Sequence, residues 1–231
     1  MITYKRTLPE IQLLVFDLDG TLADTKADLA LSVNAMREYM RLDPLPFELV
    51  TSYVGHGVSV LIRRVLGDQA PESEVQKGLA FFLDHYSKHL LDKTVAYPGV
   101  REALEGLGNR QLAVLTNKST DFSRAVLAGL GLSRYFFEIH GGDSFARKKP
   151  DPMGLQALMS RAAASPEKTL MVGDSDTDVR TGRNAGAWTC GLTYGFSPQS
   201  LEAVRPDLLL DNLRDLPPLI DNCASGGKSA G

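Results

Sequence analysis

The sequence predicts an α/β protein, a doubly wound parallel sheet with a small α-helical domain inserted after the first strand. Short apolar, β-branched runs recur along the chain, segments of helical periodicity lie between them, and one interval is far longer than a parallel crossover needs. Strands buried on both faces read as continuous apolar runs, as at Leu13 to Phe16, Leu112 to Leu115 and Leu170 to Val172. Weaker runs of the same kind occur at Phe136 to Ile139 and Thr189 to Thr193. Between them, Gly99 to Leu107, Thr120 to Leu130, Met153 to Ala162 and Thr177 to Ala185 carry helical spacing, several closed by glycine.

The long interval runs from Asp17 to about Leu112. Within it Ala27 to Met40, Phe47 to Val54, Val58 to Leu66 and Glu72 to Leu91 read as amphipathic helices, separated by turn signals at Asp43-Pro44-Leu45-Pro46 and Gly67 to Pro71. Tyr97-Pro98-Gly99 marks the return. The expected layout is an α/β core of residues 1–22 and 96–222, a helical domain of residues 23–95 and a flexible tail of residues 223–231, with hinges near residues 20–26 and 92–98. The tail is small, polar and glycine-rich. Its Gly227-Lys228-Ser229 imitates the end of a phosphate-binding loop, but Asn222 stands where the first glycine belongs and no helix follows.

At 231 residues, with 43% hydrophobic and 23% charged, the chain is long enough to fold on a packed core and lies outside the disordered class. The 28 acidic against 25 basic residues give a net charge of -3, so no general attraction to nucleic acid or to anionic lipid is expected. No apolar run reaches the ~18 residues that a membrane span requires. Lys5 and Arg6 precede the apolar stretch Ile11 to Phe16, but that stretch ends at Asp17, too early for a signal-peptide core. Two cysteines, Cys190 and Cys223, lack metal-ligand spacing and suit reduced thiols, so a cytoplasmic protein is expected.

Four segments carry chemistry. In Phe16-Asp17-Leu18-Asp19-Gly20-Thr21 the two aspartates follow a strand at a spacing of two, which on extended backbone turns both carboxylates one way and calls for a hard cation such as Mg²⁺. The simpler reading is an Asp-Gly turn. Val114-Leu115-Thr116-Asn117 ends another strand with a hydroxyl donor and backbone N–H groups that can face an anion, although polar residues end most strands. Lys148-Lys149-Pro150-Asp151-Pro152 precedes a helix, and its prolines can aim one lysine at the strand ends or leave a solvated basic turn. Gly173-Asp174-Ser175-Asp176-Thr177-Asp178 follows a third apolar strand, either as a site or as an acidic cap on the next helix. All four lie where open α/β sheets put their ligands.

In order and chemistry the set resembles the haloacid dehalogenase-like superfamily of phosphohydrolases. Asp17-Leu18-Asp19-Gly20-Thr21 matches its first motif, Thr116 the second, Lys149 with its prolines the third, and Gly173-Asp174 with Asp178 the fourth. The helical insert resembles that family's cap. Thr116-Asn117-Lys118, Lys149-Pro150-Asp151-Pro152 and Gly191-Leu192-Thr193-Tyr194-Gly195 are most similar to the phosphoglycolate phosphatase branch.

The resemblance implies Asp17 as the nucleophile of a phospho-aspartyl mechanism and Asp19 as the acid and base. It implies Mg²⁺ on Asp17, the carbonyl of Asp19 and Asp174, with Asp178 orienting the metal's waters. Leu18, Thr116, Asn117 and Lys149 would hold the phosphate. Asp19 argues against dehalogenation, because the dehalogenase branch lacks that second aspartate and uses no metal. A small phosphorylated metabolite is the expected partner, 2-phosphoglycolate first, and the protein is expected to act as a monomer or homodimer. Relatives with the same motifs hydrolyse sugar phosphates, nucleotides or pyrophosphate, and β-phosphoglucomutase uses them for transfer. A silent binding protein on the same scaffold is disfavoured by the intact motif residues.

Substrate choice is expected in the cap. His56, between Gly55 and Gly57, and Arg63 are the candidate contacts there, the first equally read as a helix-helix turn and the second as a solvated arginine. His85 and His89 share a helical face but have no third ligand beside them and read as surface residues, while Trp188 reads as core.

Overall fold

The computed structural model describes residues 8–225. Strand β1 (Leu13–Phe16) leads to a short β2 (Ala23–Asp24), and four helices follow, α1 (Lys26–Tyr39), α2 (Phe47–Ser52), α3 (Val58–Leu66) and α4 (Glu72–His89). The chain returns through β3 (Val95–Ala96), α5 (Val100–Gly106), β4 (Gln111–Leu115), α6 (Thr120–Gly129) and β5 (Glu138–His140). It ends with α7 (Met153–Ala162), β6 (Thr169–Gly173), α8 (Asp176–Asn184), β7 (Trp188–Leu192), α9 (Pro198–Val204), β8 (Leu208–Leu210) and α10 (Leu216–Ser225).

Six strands form one parallel sheet in the order β5-β4-β1-β6-β7-β8. β1 is central, with Leu14 opposite Leu112 on one side and Leu170 on the other. Its four residues are fully buried because both faces are covered, and their alternation feeds two cores. Leu14 and Phe16 join the larger core with Leu104 and Val126, whereas Leu13 and Val15 meet Leu155 and Leu158 of α7. From β1 the chain builds outward through β4 and β5, then crosses back to β6, β7 and β8. The strand order therefore reverses at β1, and the carboxyl ends of β1, β4 and β6 meet at that switch point.

The four helices α1–α4 are bracketed by a two-stranded antiparallel ribbon in which Ala23 pairs with Ala96 and Asp24 with Val95. Asp28, buried at the start of α1, braces the return. Its carboxylate accepts hydrogen bonds from the N–H groups of Lys93 (3.0 Å) and Thr94 (2.8 Å) and from the Thr94 hydroxyl (2.7 Å). Val33, Met36, Val65, Val75 and Phe82 fill the space among the helices.

Several boundaries differ from the sequence reading for local reasons. β5 starts at Glu138, because Ser133–Tyr135 forms a 3₁₀ turn and Phe136 is a core residue outside the strand. β8 is only three leucines, too short to register as a run, and the ribbon strands are two residues each. α10 opens on Leu216-Pro217-Pro218, prolines that a helix accepts in its first turn, and continues through Ser225. Cys223 to Ser225 are thus helical instead of tail, and residues 226–231, with Gly227-Lys228-Ser229, lie outside the described residues, as do Lys5 and Arg6. Cys190 is a buried free thiol, and among the described residues no helix is long and apolar enough to cross a membrane.

Candidate active site

Asp17 is the first residue beyond β1. Its N–H still donates to the Val172 carbonyl, so sheet pairing fixes where it stands. The chain then folds sharply, with the Leu18 carbonyl accepting from the N–H groups of Thr21, Leu22 and Ala23, and with Gly20 at φ +87°. That turn separates the two aspartates. The Asp17 carboxylate meets those of Asp174 and Asp178, ligand oxygens of all three lying within 4.8 Å of one another. The Asp19 carboxylate instead accepts from the Thr25 hydroxyl at 2.7 Å and from Lys118 Nζ at 3.2 and 3.3 Å. Extended geometry would have turned both carboxylates to one cation, but the backbone leaves the extended form immediately after Asp17, and Asp178 completes the acidic cluster instead.

Of the two adjacent lysines, Lys148 is exposed and Lys149 is buried. Lys149 Nζ lies 3.0 Å from Asp17 Oδ1 and 2.7 Å from Asp178 Oδ1. Asp178 also accepts from the Ser175 N–H (3.2 Å) and hydroxyl (2.6 Å), so it caps α8 and steadies Lys149 at once. Asp174 is gripped separately, by the Phe196 N–H at 2.6 Å and the Thr21 hydroxyl at 3.0 Å. A Cβ built on Gly20 would stand 2.4 Å from Asp174 Oδ2, so only glycine lets the first-motif turn lie against that carboxylate.

Charge is unbalanced here. Burial, with further repulsion from Asp178 and Asp17, pushes the Asp174 carboxyl up to about 7. Burial also pushes Asp17 up to about 6 although Lys149 pulls it down, with Asp178 raising it further. Lys149 holds its proton more tightly than usual, because Asp17 and Asp178 outweigh the opposing effect of burial. Three buried carboxylates share one ammonium, and an oxygen-lined pit with surplus negative charge fits a hard divalent cation.

Thr116 and Asn117 follow β4 and are both buried. They line one cavity with Asp17, Asp19, Lys118 and Asp174. Asn117 Nδ2 donates to the carbonyls of Gly55 (2.9 Å) and Lys149 (3.2 Å), tying the loop before α3 to the sheet rim. The cavity's other wall comes from the helical insert, including Leu29, Val54, Leu61, Phe82 and Tyr86. Gly55 and Gly57 line it, but His56 between them is exposed. Arg63 does not line it, its guanidinium being paired with Glu72 on the insert's surface.

His85 Nδ1 lies 3.1 Å from the Ser32 hydroxyl and His89 Nδ1 lies 2.7 Å from Asp92, with the two rings stacked on each other. Trp188 is only partly buried, its indole N–H donating to the Glu167 carbonyl.

Sequence reasoning assigned no role to Lys118, Thr21, Thr25, Tyr86 or the Phe196 N–H. Tyr86 lies inside an ordinary amphipathic pattern, and a backbone N–H leaves no trace in residue identity. Lys118 had only its position two residues beyond Thr116 to mark it. Its side chain is 6% exposed, and it donates to the Tyr86 hydroxyl at 2.7 Å. Burial pushes that phenol up to about 12.

Residues 14–192 match the family model described as haloacid dehalogenase-like hydrolase. The chain is 39% identical over 229 residues to the phosphoglycolate phosphatase of Pseudomonas putida, covering 95% of this chain and 83% of that protein. It is 35% identical over 228 residues to the phosphoglycolate phosphatase of Agrobacterium fabrum, covering 96% and 98%. The crystal structure of a predicted phosphoglycolate phosphatase from Haemophilus somnus 129pt superposes with a TM-score of 0.86 at 32% identity, covering 90% of this chain and 96% of that one. The acidic pit at the switch point, the buried lysine and these matches agree, and the chain belongs to the haloacid dehalogenase-like hydrolase family.

Proposed function

We propose that the protein is a Mg²⁺-dependent phosphatase of small phosphate monoesters, with 2-phosphoglycolate as its substrate and glycolate and phosphate as products. The observation that carries this reading is the convergence of Asp17, Lys149 and Asp174 at the switch point, in a chain whose relatives at 35–40% identity are named phosphoglycolate phosphatase. Asp17, Asp174 and the carbonyl of Asp19 would hold the metal ion, which when bound neutralises the repulsion between carboxylate and phosphate.

Lys149 and the Leu18 N–H (2.7 Å) both donate to Asp17 Oδ1, which leaves Oδ2 as the oxygen that attacks phosphorus. The new O–P bond forms as the ester bond breaks, and the departing alkoxide takes its proton from Asp19. Asp19 then removes a proton from the water that hydrolyses the acyl phosphate, which regenerates Asp17 and frees phosphate. Thr116 and the Asn117 N–H bind the phosphoryl oxygens, joined by the Leu18 N–H as it turns from Asp17 Oδ1 to the bound substrate, with Lys149 offsetting their charge. Residues 23–95 act as the cap that excludes water, moving on the β2–β3 ribbon. The reaction belongs in the cytoplasm, where a thiol such as Cys190 stays reduced, and the enzyme works as a monomer or homodimer.

The test is phosphate release in Mg²⁺ from a panel of 2-phosphoglycolate, sugar phosphates, nucleotides and pyrophosphate. The highest kcat/KM is expected for 2-phosphoglycolate, and a clear preference for any other member overturns the substrate assignment.

A further inference from the structure

We infer that Lys118 recognises the acidic end of the substrate, its ammonium binding the carboxylate of a two-carbon acid ester. This rests on the reading of 2-phosphoglycolate as substrate and names the residue that selects it. Lys118 is the one cation among the described residues that line the cavity, and the wall facing it is largely apolar, with Leu29, Val54, Val58, Leu61 and Phe82. A carboxylate entering such a space must find a counter-charge. Arg63 does not supply it, being paired with Glu72 outside the cavity.

The geometry leaves Lys118 a donor to give. An ammonium has three N–H groups. The short contact to the Tyr86 hydroxyl, 2.7 Å, uses one. The two contacts to Asp19, 3.2 and 3.3 Å, are both long for an ammonium on a carboxylate and can share one N–H forked between the two oxygens. With that fork the third N–H is available to a ligand oxygen, while the Tyr86 ring, 4.6 Å from Nζ, and its hydroxyl hold the side chain in place.

Position also fits chain length. Asp19 must reach the ester oxygen to protonate it, and in a two-carbon acid ester the carboxylate hangs on the carbon next to that oxygen. A cation touching Asp19 therefore reaches this carboxylate, whereas a longer acid would push its charge toward the apolar wall.

The test compares kcat/KM for 2-phosphoglycolate with that for 2-hydroxyethyl phosphate, an ester of similar length with a hydroxyl in place of the carboxylate, in Mg²⁺ for the wild-type protein, Lys118→Met, Lys118→Arg and Tyr86→Phe. Lys118→Met is expected to cut the preference for the acid ester about 10²-fold, and Lys118→Arg to restore most of it. Tyr86→Phe, which removes only the hydroxyl, is expected to raise KM for the acid ester more than it lowers kcat. Equal losses on both esters, or a preference that survives Lys118→Met, would overturn the assignment. A wild-type protein without preference for the acid ester would instead defeat the substrate reading, and that result is visible before any variant is made.

Discussion

Asp174 is seated on Gly195, where an added methyl group would lie 2.2 Å from the Asp174 Cβ. Gly20 closes on the same carboxylate from the other side. The acidic pit is thus moulded by two residues without side chains, which explains how Asp174 is held beside two other carboxylates with Phe196 and Thr21 as its only hydrogen-bond donors among the described residues.

Gly195→Ala tests that seating sterically, because Gly195 has no positive φ to confound it. The clash is expected to displace Asp174, cut phosphate release by roughly 10²-fold and cost about 1–3 kcal/mol of stability. Gly108→Ala is the control. Gly108 has φ +62° and nothing within 4 Å of the added methyl, so that variant should lose only about 1 kcal/mol to backbone strain while turnover stays at the wild-type level.

Asp17→Asn keeps the shape of the side chain and removes the carboxylate proposed as nucleophile. Turnover is expected to fall by about 10⁴-fold or more, while inorganic phosphate still binds, since the charge repelling it is gone. Phosphate release and phosphate binding by titration calorimetry separate the two effects. Robust turnover by this variant would take Asp17 out of the nucleophile role.

The legible parts of this molecule are those written in local pattern. β1 and the helices α3 and α7 were readable to the residue because continuous apolar runs and 3.6-residue spacing report burial directly. Four polar segments, three after strands and one before a helix, pointed to one rim because parallel topology leaves few other places for them. What sequence could not carry is how side chains turn at that rim. The spacing of Asp17 and Asp19 implied one shared direction, yet the turn at Leu18 sends Asp19 to Thr25 and Lys118. The long-range pairing of Lys118 with Tyr86 crosses 32 residues and has no local signature. Arg63 looked available on a helix and found Glu72 nearby.

Asp28 is a prediction about stability, placed away from the cavity lining. It is buried and satisfies two N–H groups and a hydroxyl at the chain's return from the helical insert. Asp28→Ala leaves those donors without a partner and is expected to lower unfolding free energy by about 2–4 kcal/mol, measured by denaturant titration. Asp28→Asn should cost less, because one carbonyl oxygen can still accept. A change under about 0.5 kcal/mol for the alanine variant would mean that the ribbon is held by other contacts.

The raised carboxyl groups predict how metal and pH interact. Asp174 is pushed from 3.8 up to about 7 and Asp17 from 3.8 up to about 6, so in the metal-free protein the folded state binds these protons more tightly than the unfolded chain does. Their contribution to stability is therefore fully present below 3.8 and is lost as pH rises through about 6 and about 7. Mg²⁺ favours the ionised carboxylates, so the rise in Tm on adding it to chelator-treated protein should grow as pH increases across that window. Asp174→Asn removes the more strongly raised of these two carboxyl groups. In chelator at about pH 8 the variant should melt several degrees above the wild type, about 2–4 °C for each kcal/mol of relieved repulsion. It should also respond little to Mg²⁺. A Mg²⁺-induced shift of constant size from about pH 5 to about pH 8 would show that the carboxylates are already ionised without the metal, and the surplus charge in the pit would then have to be balanced by some other group.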